Sequence, residues 1–239
     1  MFLPFEILFE DDYIIILNKP PKMLVIQDRF NKLEPNLQDI LKDKYPEIFT
    51  IHRLDKDTSG VIIFAKRADS HKELSIQFEK HKVQKIYSAL LQGTLSQEKG
   101  TIEAPIGKKN SHENVMVVDK KNGKYSITYF ELVKKFKNYT LVNAFPKTGR
   151  THQIRVHFKS IGHPLAIDKL YGTKEKIFLS DIKTKFIKGK EEKALMERLT
   201  LHATSIEFTH PNTFEKMKIE APYHKDFRTL IKNLEKYGY

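Results

Sequence analysis

The strongest structural signal in the chain is the stretch IHRLDKDTSG at positions 51–60, which runs directly into VIIFA at 61–65. A polar loop leading into a short buried strand is indicated, because β-branched and aromatic side chains fit a packed, pleated surface. Asp57 precedes turn-forming residues, whereas Asp55 lies between Arg53-Leu54 and Lys56. From these residues alone, Asp55 is either an active carboxylate or a surface acid paired with an arginine.

The excess of basic over acidic residues indicates which kind of partner the protein binds. The 239 residues include 42 Lys and Arg against 30 Asp and Glu, a formal charge of +12, and the sequence pI is about 9.5. A surplus of this size favours a polyanionic partner such as RNA, through release of phosphate counterions, although general solubility is the alternative.

Several classes of site are excluded or not expected. The absence of cysteine excludes disulfides and thiolate metal sites and favours a reducing cytoplasm. His152 and His157 lack zinc-helix spacing, so we expect no metal and no cofactor. The N-terminus has no signal-peptide pattern, and no run approaches the roughly 20 apolar residues of a membrane span. We expect a soluble cytoplasmic monomer.

Periodicity and turn signals predict the elements of the first third of the chain. Two strands within 7–17 are joined by an acidic turn and stopped by Pro20. A helix over 37–44 follows the start signal at Asn36, and a second helix begins at the N-caps Asp69 and Ser70. Alternation then predicts a strand over 83–91.

The rest of the chain predicts strands, one clear helix and a basic insertion. Residues 101–142 alternate strands with turns, including a hairpin at 120–124. A turn at 148–151, predicted to cap a helix and able to hold phosphate, leads into a helix that ends before Gly162, although alternation over 154–158 also permits a strand. Residues 174–193 are lysine-rich and are expected to be an exposed insertion that contacts RNA or is simply solvated.

Four motifs in order resemble those of the RluA-type RNA pseudouridine synthases. They are HRLD at 52–55 with TSG at 58–60, KIYSA at 85–89, TGRTHQIRVH at 148–157, and LHA at 201–203 with FTHP at 208–211. The resemblance covers about 7–222. Two positions depart from the family pattern, because Lys22 and Ile167 stand where a glycine is usual.

The resemblance implies an α+β fold, with a mixed, mostly antiparallel central sheet, flanking helices and a central RNA-binding cleft. It implies one catalytic domain over 1–239 without the N-terminal accessory RNA-binding domain of many relatives. Asp168 and His202 fall in family-like contexts, and we interpret both as structural.

The resemblance also implies the active residues. Asp55 would be the nucleophile or the base, Tyr87 would stack on the target base, and Arg155 would pair with Asp55 and keep it ionised. Arg53 would help to open the RNA, and Arg150 would hold phosphate. Residues expected to bind RNA or substrate are Lys19, His52, Arg53, Leu54, Thr58, Lys85, Arg150, His152 and Gln153.

The implied function is isomerisation of specific uridines to pseudouridine in ribosomal large-subunit RNA or transfer RNA. Sequence cues conflict between these two targets. The alternative is a non-catalytic RNA-binding or ribosome-assembly protein on the same fold, although RNA binding alone needs no carboxylate facing a polyanion. A metal-dependent nuclease is set aside, because clustered acids are missing.

Overall fold

The computed structural model describes residues 4–110, 115–183 and 192–239. The chain forms two compact units, one made of 1–86 and 202–222 and the other of 87–201 and 223–239. The main chain passes from one unit to the other at three positions, after residues 86, 201 and 222. Residues distant in sequence therefore share a unit.

The first unit is built on two fully buried strands. Strand β2 (Ile14–Lys19) and strand β4 (Ser59–Ala65) have every residue buried, as expected from their runs of Ile, Val and Phe. They pair with each other antiparallel, and β2 also pairs antiparallel with β1 (Glu6–Glu10). The predicted acidic turn between β1 and β2 is confirmed, with Asp11 Oδ1 accepting the Tyr13 and Ile14 amides at 2.8 Å.

The remaining strands of the first unit extend from β4. Strand β3 (Phe49–Thr50) pairs with it antiparallel, and β11 (Leu201–Thr209) pairs with it in parallel through His202 opposite Ser59. Strand β12 (Lys216–Glu220) pairs antiparallel with β11.

Two helices complete the first unit. Helix α1 (Leu37–Lys42) begins as predicted, with the Asn36 side chain accepting the Asp39 amide at 3.0 Å. Helix α2 (Ala68–Glu79) has Arg67 at its N-cap, and no side chain caps it. The prediction that Asp69 and Ser70 are N-caps was therefore wrong, because both lie inside the first turn.

The second unit contains an antiparallel sheet in the order β5, β10, β9 and β6. These strands are β5 (Gln84–Gln92), β6 (Lys99–Glu103), β9 (Ile127–Lys135) and β10 (Tyr139–Pro146). Residues Gln153–Ser160 form helix α3, so the helix prediction is confirmed over the strand alternative. The helix places Ile154 and Phe158 in a core with residues of β5 and β10. Helix α4 (Lys225–Tyr237) supplies Phe227, Leu230, Ile231 and Leu234 to a second core.

Two sequence predictions in the second unit need correction. Strands β7 (Ile106–Lys108) and β8 (Met116–Val118) pair with each other, so 120–124 is not a hairpin. It is a turn fixed by Asp119 Oδ1, which accepts the Lys121 and Asn122 amides at 3.0 Å. The insertion at 174–193 is only partly exposed, because Ile177 and Ile182 enter the core and Leu179–Asp181 forms a 3₁₀ turn. Its segment 184–191 lies outside the described residues.

The observed pairing confirms the predicted fold class, since most strand pairs are antiparallel while β4 and β11 run in parallel. Among the residues that the structure describes, none of the helices has the length and apolar character required to cross a membrane.

Candidate active site

Asp55 lies at the end of an irregular segment that leads into β4. Its main-chain oxygen accepts the Thr58 amide at 3.1 Å, which closes a tight turn over 56–57. Leu54 and Thr58 on either side are buried, whereas Asp55 itself is half-buried and Arg53 is exposed. The loop is thus anchored through the buried residues Leu54 and Thr58 on either side of Asp55.

The end of this loop is fixed by close approach of two backbones. Gly60 has a φ of 113°, and a Cβ placed there would lie 2.1 Å from the Ala203 carbonyl oxygen. Only glycine satisfies both conditions. The adjoining Ser59 Oγ is 2.9 Å from His202 Nδ1, and the other ring nitrogen of His202 is 3.1 Å from the Ala221 oxygen. His202 is fully buried, consistent with a structural role.

Lys19, the last residue of β2, holds the same loop. Its side chain is fully buried, and Nζ donates to the carbonyl oxygens of Pro20, Met23 and Lys56 at 2.9, 2.7 and 2.9 Å. An ammonium group buried in this way is stabilised by three charge-assisted hydrogen bonds. The bond to Lys56 ties the residue after Asp55 to the turn at 20–23.

That turn has the conformation for which glycine is usual. Lys22 has a φ of 61°, in the left-handed region. A residue with a Cβ thus adopts a backbone conformation that glycine adopts more readily, at a cost in strain.

His52 packs inside the first unit. Its ring stacks on Phe78 with centroids 4.7 Å apart, and Nε2 accepts the Ile63 amide at 3.2 Å. Burial, assisted by the charge of Lys85, lowers the pKa of His52 to about 3. Burial also lowers the pKa of Lys85, whose Nζ lies 6.0 Å from the Phe78 ring centroid. His52 is accordingly a neutral side chain that orients the loop entering β4.

In the second unit, Tyr87 and Arg155 project from different elements. Tyr87 lies on β5 opposite Ala144 of β10 and packs against the core that contains Ile154 and Phe158. Arg155, on α3, is 7% exposed and pairs with Asp168. Its Nε and Nη2 donate to Asp168 Oδ2 and Oδ1 at 2.7 and 2.8 Å.

The loop before α3 is held by side chains rather than by a conventional cap. Gln153 uses its whole amide within the protein. Its oxygen accepts from Thr148 and the Arg150 amide, and its nitrogen donates to the Ile127 oxygen and Thr128. His152 occupies the N-cap in the left-handed conformation without a capping side-chain bond, so the predicted cap within 148–151 is wrong. Arg150 is exposed, and its Nε donates to the Tyr125 oxygen at 3.2 Å.

The chain positions of the predicted site residues divide them between the two units. Lys19, His52, Arg53, Leu54, Asp55, Thr58 and Lys85 belong to the first unit, and Tyr87, Arg150, His152, Gln153 and Arg155 belong to the second. The buried residues Asp168 and Tyr171, which contact Arg155, were not predicted as part of the site. The available signal was an aspartate directly after the apolar run 165–167.

A metal site is not evident from side-chain placement. Within residues 4–110, 115–183 and 192–239, no three His, Asp or Glu side chains group as ligands of a metal ion would.

Comparison with known proteins places these residues in one family. Residues 13–160 match the RNA pseudouridylate synthase family. Ribosomal large subunit pseudouridine synthase C of Buchnera aphidicola subsp. Baizongia pistaciae is 40% identical, over 95% of this chain and 70% of that protein. The protein of the same name from Yersinia pestis is 39% identical, over 96% of this chain and 69% of its own.

A solved structure agrees in fold. Human RNA pseudouridylate synthase domain containing 4 superposes with a TM-score of 0.72 at 21% identity, covering 96% of this chain and 93% of that one. The matched segment contains the Asp55 loop, Tyr87 and Arg155. The chain belongs to the RNA pseudouridylate synthase family.

Proposed function

We propose that this protein converts uridine to pseudouridine in structured RNA, with Asp55 as the active carboxylate. The observation that carries the proposal is the family match over 13–160, which spans Asp55, Tyr87 and Arg155. The formal charge of +12 supports an RNA substrate. Residues 1–239 would act as one catalytic domain and as a monomer in the cytoplasm, with neither metal nor cofactor.

The reaction is an isomerisation that needs no oxidant or reductant. The bond from C1′ to N1 breaks, the freed base turns, and a bond forms from C1′ to C5. C5 then loses its proton, and N1 gains one. Asp55 would either attack C1′ to give a covalent adduct or remove a proton from the ribose to give a glycal. Both routes require the ionised carboxylate and a target nucleotide that has left the stack of neighbouring bases. Removing the nucleotide from the stack costs a few kcal/mol.

Arg155 and Tyr87 would assist the reaction at Asp55, the first by stabilising the charged carboxylate and the second by holding the base. A carboxylate beneath a base loses hydration, which raises its pKa, and a permanently charged guanidinium opposes that shift. We therefore assign to Arg155 the pairing that keeps Asp55 ionised. Tyr87 would stack on the uracil, an interaction worth about 1–3 kcal/mol per base.

The other predicted residues divide into RNA contacts and supports. Arg53 and Arg150 are exposed, which suits contact with the vacated stack and with phosphate. We propose that Lys85, on β5, and the half-buried His152 contact the substrate. The contacts of Lys19, His52 and Gln153 favour a supporting role, in which they hold the loop that carries Asp55 and the segment before α3, the helix that carries Arg155.

For the target we propose ribosomal large-subunit RNA rather than transfer RNA. The two relatives compared above are named for the large ribosomal subunit. Mapping pseudouridine at single-nucleotide resolution in cells with and without the protein tests this assignment. Loss of a site in large-subunit RNA is expected, and loss confined to transfer RNA would contradict it.

The activity itself is tested by incubating the purified protein with transcribed RNAs and measuring pseudouridine by mass spectrometry. Conversion of specific uridines is expected. Tight RNA binding with no conversion in total cellular RNA would instead favour the non-catalytic alternative.

A further inference from the structure

The guanidinium of Arg155 is fixed in its own plane by Asp168. The two side chains are 7% and 1% exposed and make two parallel hydrogen bonds, from Nε to Oδ2 and from Nη2 to Oδ1. Such a bidentate pair sets both the position and the rotation of the guanidinium. We propose that Asp168 is a positioning residue for the chemical step, which it serves by holding Arg155 in the orientation needed to pair with the active carboxylate. This inference rests on the proposed function.

Asp168 is itself immobilised by main-chain groups. Its Oδ1 accepts the Leu170 amide at 2.9 Å and the Tyr171 amide at 3.1 Å. Its main-chain oxygen accepts the Gly172 amide at 2.8 Å. The carboxylate therefore sits in a tight turn over 168–172 and cannot follow Arg155 if the arginine moves.

Tyr171 restrains the face of the Arg155 guanidinium, perpendicular to the plane of the hydrogen bonds with Asp168. The guanidinium carbon lies 4.9 Å from the centroid of the Tyr171 ring. The hydroxyl of Tyr171 accepts the Met116 amide at 2.8 Å and is 2.8 Å from His152 Nδ1, so the ring is anchored at its far end. Arg155 is thus bounded on one edge by a carboxylate and on one face by a buried ring.

The geometry points to orientation rather than charge as the contribution of Asp168. A guanidinium has a second edge, formed by Nη1 and Nη2, whose direction is determined once the edge containing Nε is fixed. Asp168 partly neutralises Arg155 and therefore weakens its field at any second anion. Its benefit to the reaction must then come from placement, to which catalytic rates are highly sensitive.

The second unit contains a control for this pair with the same hydrogen-bonding pattern and a more exposed aspartate. Arg198 is 4% exposed, and its Nε and Nη2 donate to Asp226 Oδ2 and Oδ1 at 2.6 and 2.8 Å. The two pairs have the same bonding pattern, but no predicted site residue takes part in the Arg198 pair. A change at Asp226 therefore measures what the loss of such a pair does to folding alone.

The test compares Asp168→Asn with Asp226→Asn in single-turnover assays at saturating enzyme, with RNA affinity and thermal unfolding measured in parallel. We expect Asp168→Asn to lower the rate constant by roughly 10- to 100-fold per folded molecule, with Kd for the RNA within about twofold of wild type. Asp226→Asn should lower the unfolding temperature and keep the wild-type rate constant. Equal rate constants for the two variants would overturn the proposal.

A second variant keeps the proposal testable if Asp168→Asn does not fold. Asp168→Glu retains the charge but displaces the carboxylate by one methylene, so the rate constant should still fall by about tenfold or more. A folded Glu variant with the wild-type rate constant would contradict a positioning role. Absence of pseudouridine formation by the wild-type protein would instead overturn the proposed function, which separates the two failures.

Discussion

At the scale of single residues, buried polar side chains determine much of the geometry of the site. Their hydrogen-bond partners are difficult to predict from the sequence. Lys19 was expected to contact RNA, yet it is fully buried on three carbonyl oxygens. These three acceptors are main-chain atoms, which no side-chain pattern in the sequence can indicate. The Asp168–Arg155 pair was likewise not predicted, because the two residues are 13 positions apart and the fold alone brings them together.

The left-handed conformation of Lys22 predicts a gain in stability on replacement by glycine. With a φ of 61°, a Cβ at this position costs about 1 kcal/mol that glycine does not pay. Lys22→Gly should therefore raise the free energy of unfolding by about 0.5–1 kcal/mol in urea titrations. Lys22→Ala is the matched control and should give no gain, because it keeps the Cβ. A gain shared equally by both variants would place the cause in the lysine side chain.

His52 predicts a pH dependence of stability in the mildly acidic range. Its folded-state pKa of about 3 lies below its ordinary value of 6.5, so the unfolded chain takes up the proton first. Stability is therefore complete above pH 6.5 and falls as the pH drops from there towards 3. At pH 5 the loss from this residue should be about 2 kcal/mol.

Comparing wild type with His52→Gln in denaturant titrations from pH 7 to pH 5 isolates this contribution. His157 has a pKa lowered in the same direction and is common to both proteins, so its effect cancels. The variant should show a flatter dependence on pH. Identical slopes would show that His52 is not the group that resists protonation.

At the scale of elements, hydrophobic periodicity located most helices and strands, because each buries an apolar face that its own residues determine. The errors fall where local signals do not decide the outcome. The lysine-rich turn at 120–124 has hairpin composition, but β8 pairs with β7 instead. In the insertion at 174–193, the core residues Ile177 and Ile182 stand among charged residues, and two isolated apolar positions give no readable periodicity.

The contact between β4 and β11 predicts that Gly60 tolerates no side chain. A Cβ at Gly60 would meet the Ala203 main chain at 2.1 Å in a conformation that L-residues rarely adopt. Gly60→Ala should lower the free energy of unfolding by about 3 kcal/mol or more, measured by urea denaturation. Gly149→Ala is the control, since nothing lies within 4 Å of a Cβ there. Similar losses for both variants would contradict the backbone contact.

At the scale of the whole molecule, four short motifs in order were enough to indicate the family, and the match over 13–160 agrees with them. The fold class followed from the same resemblance and is confirmed. The roles of individual residues are less accessible from sequence, because a motif does not separate a side chain that touches substrate from one that supports it. Gln153 illustrates this difference, since all of its hydrogen bonds are made within the protein.

The most direct test of the account is the rate of pseudouridine formation by Asp55→Asn beside Asp57→Asn. The two changes remove one carboxylate each from the same loop, and Asp57 is exposed. We expect Asp55→Asn to bind the RNA and form no detectable pseudouridine in single-turnover assays, while Asp57→Asn stays within about threefold of wild type. Pseudouridine formation by Asp55→Asn at a rate near that of wild type would contradict the assignment of Asp55 as the active carboxylate.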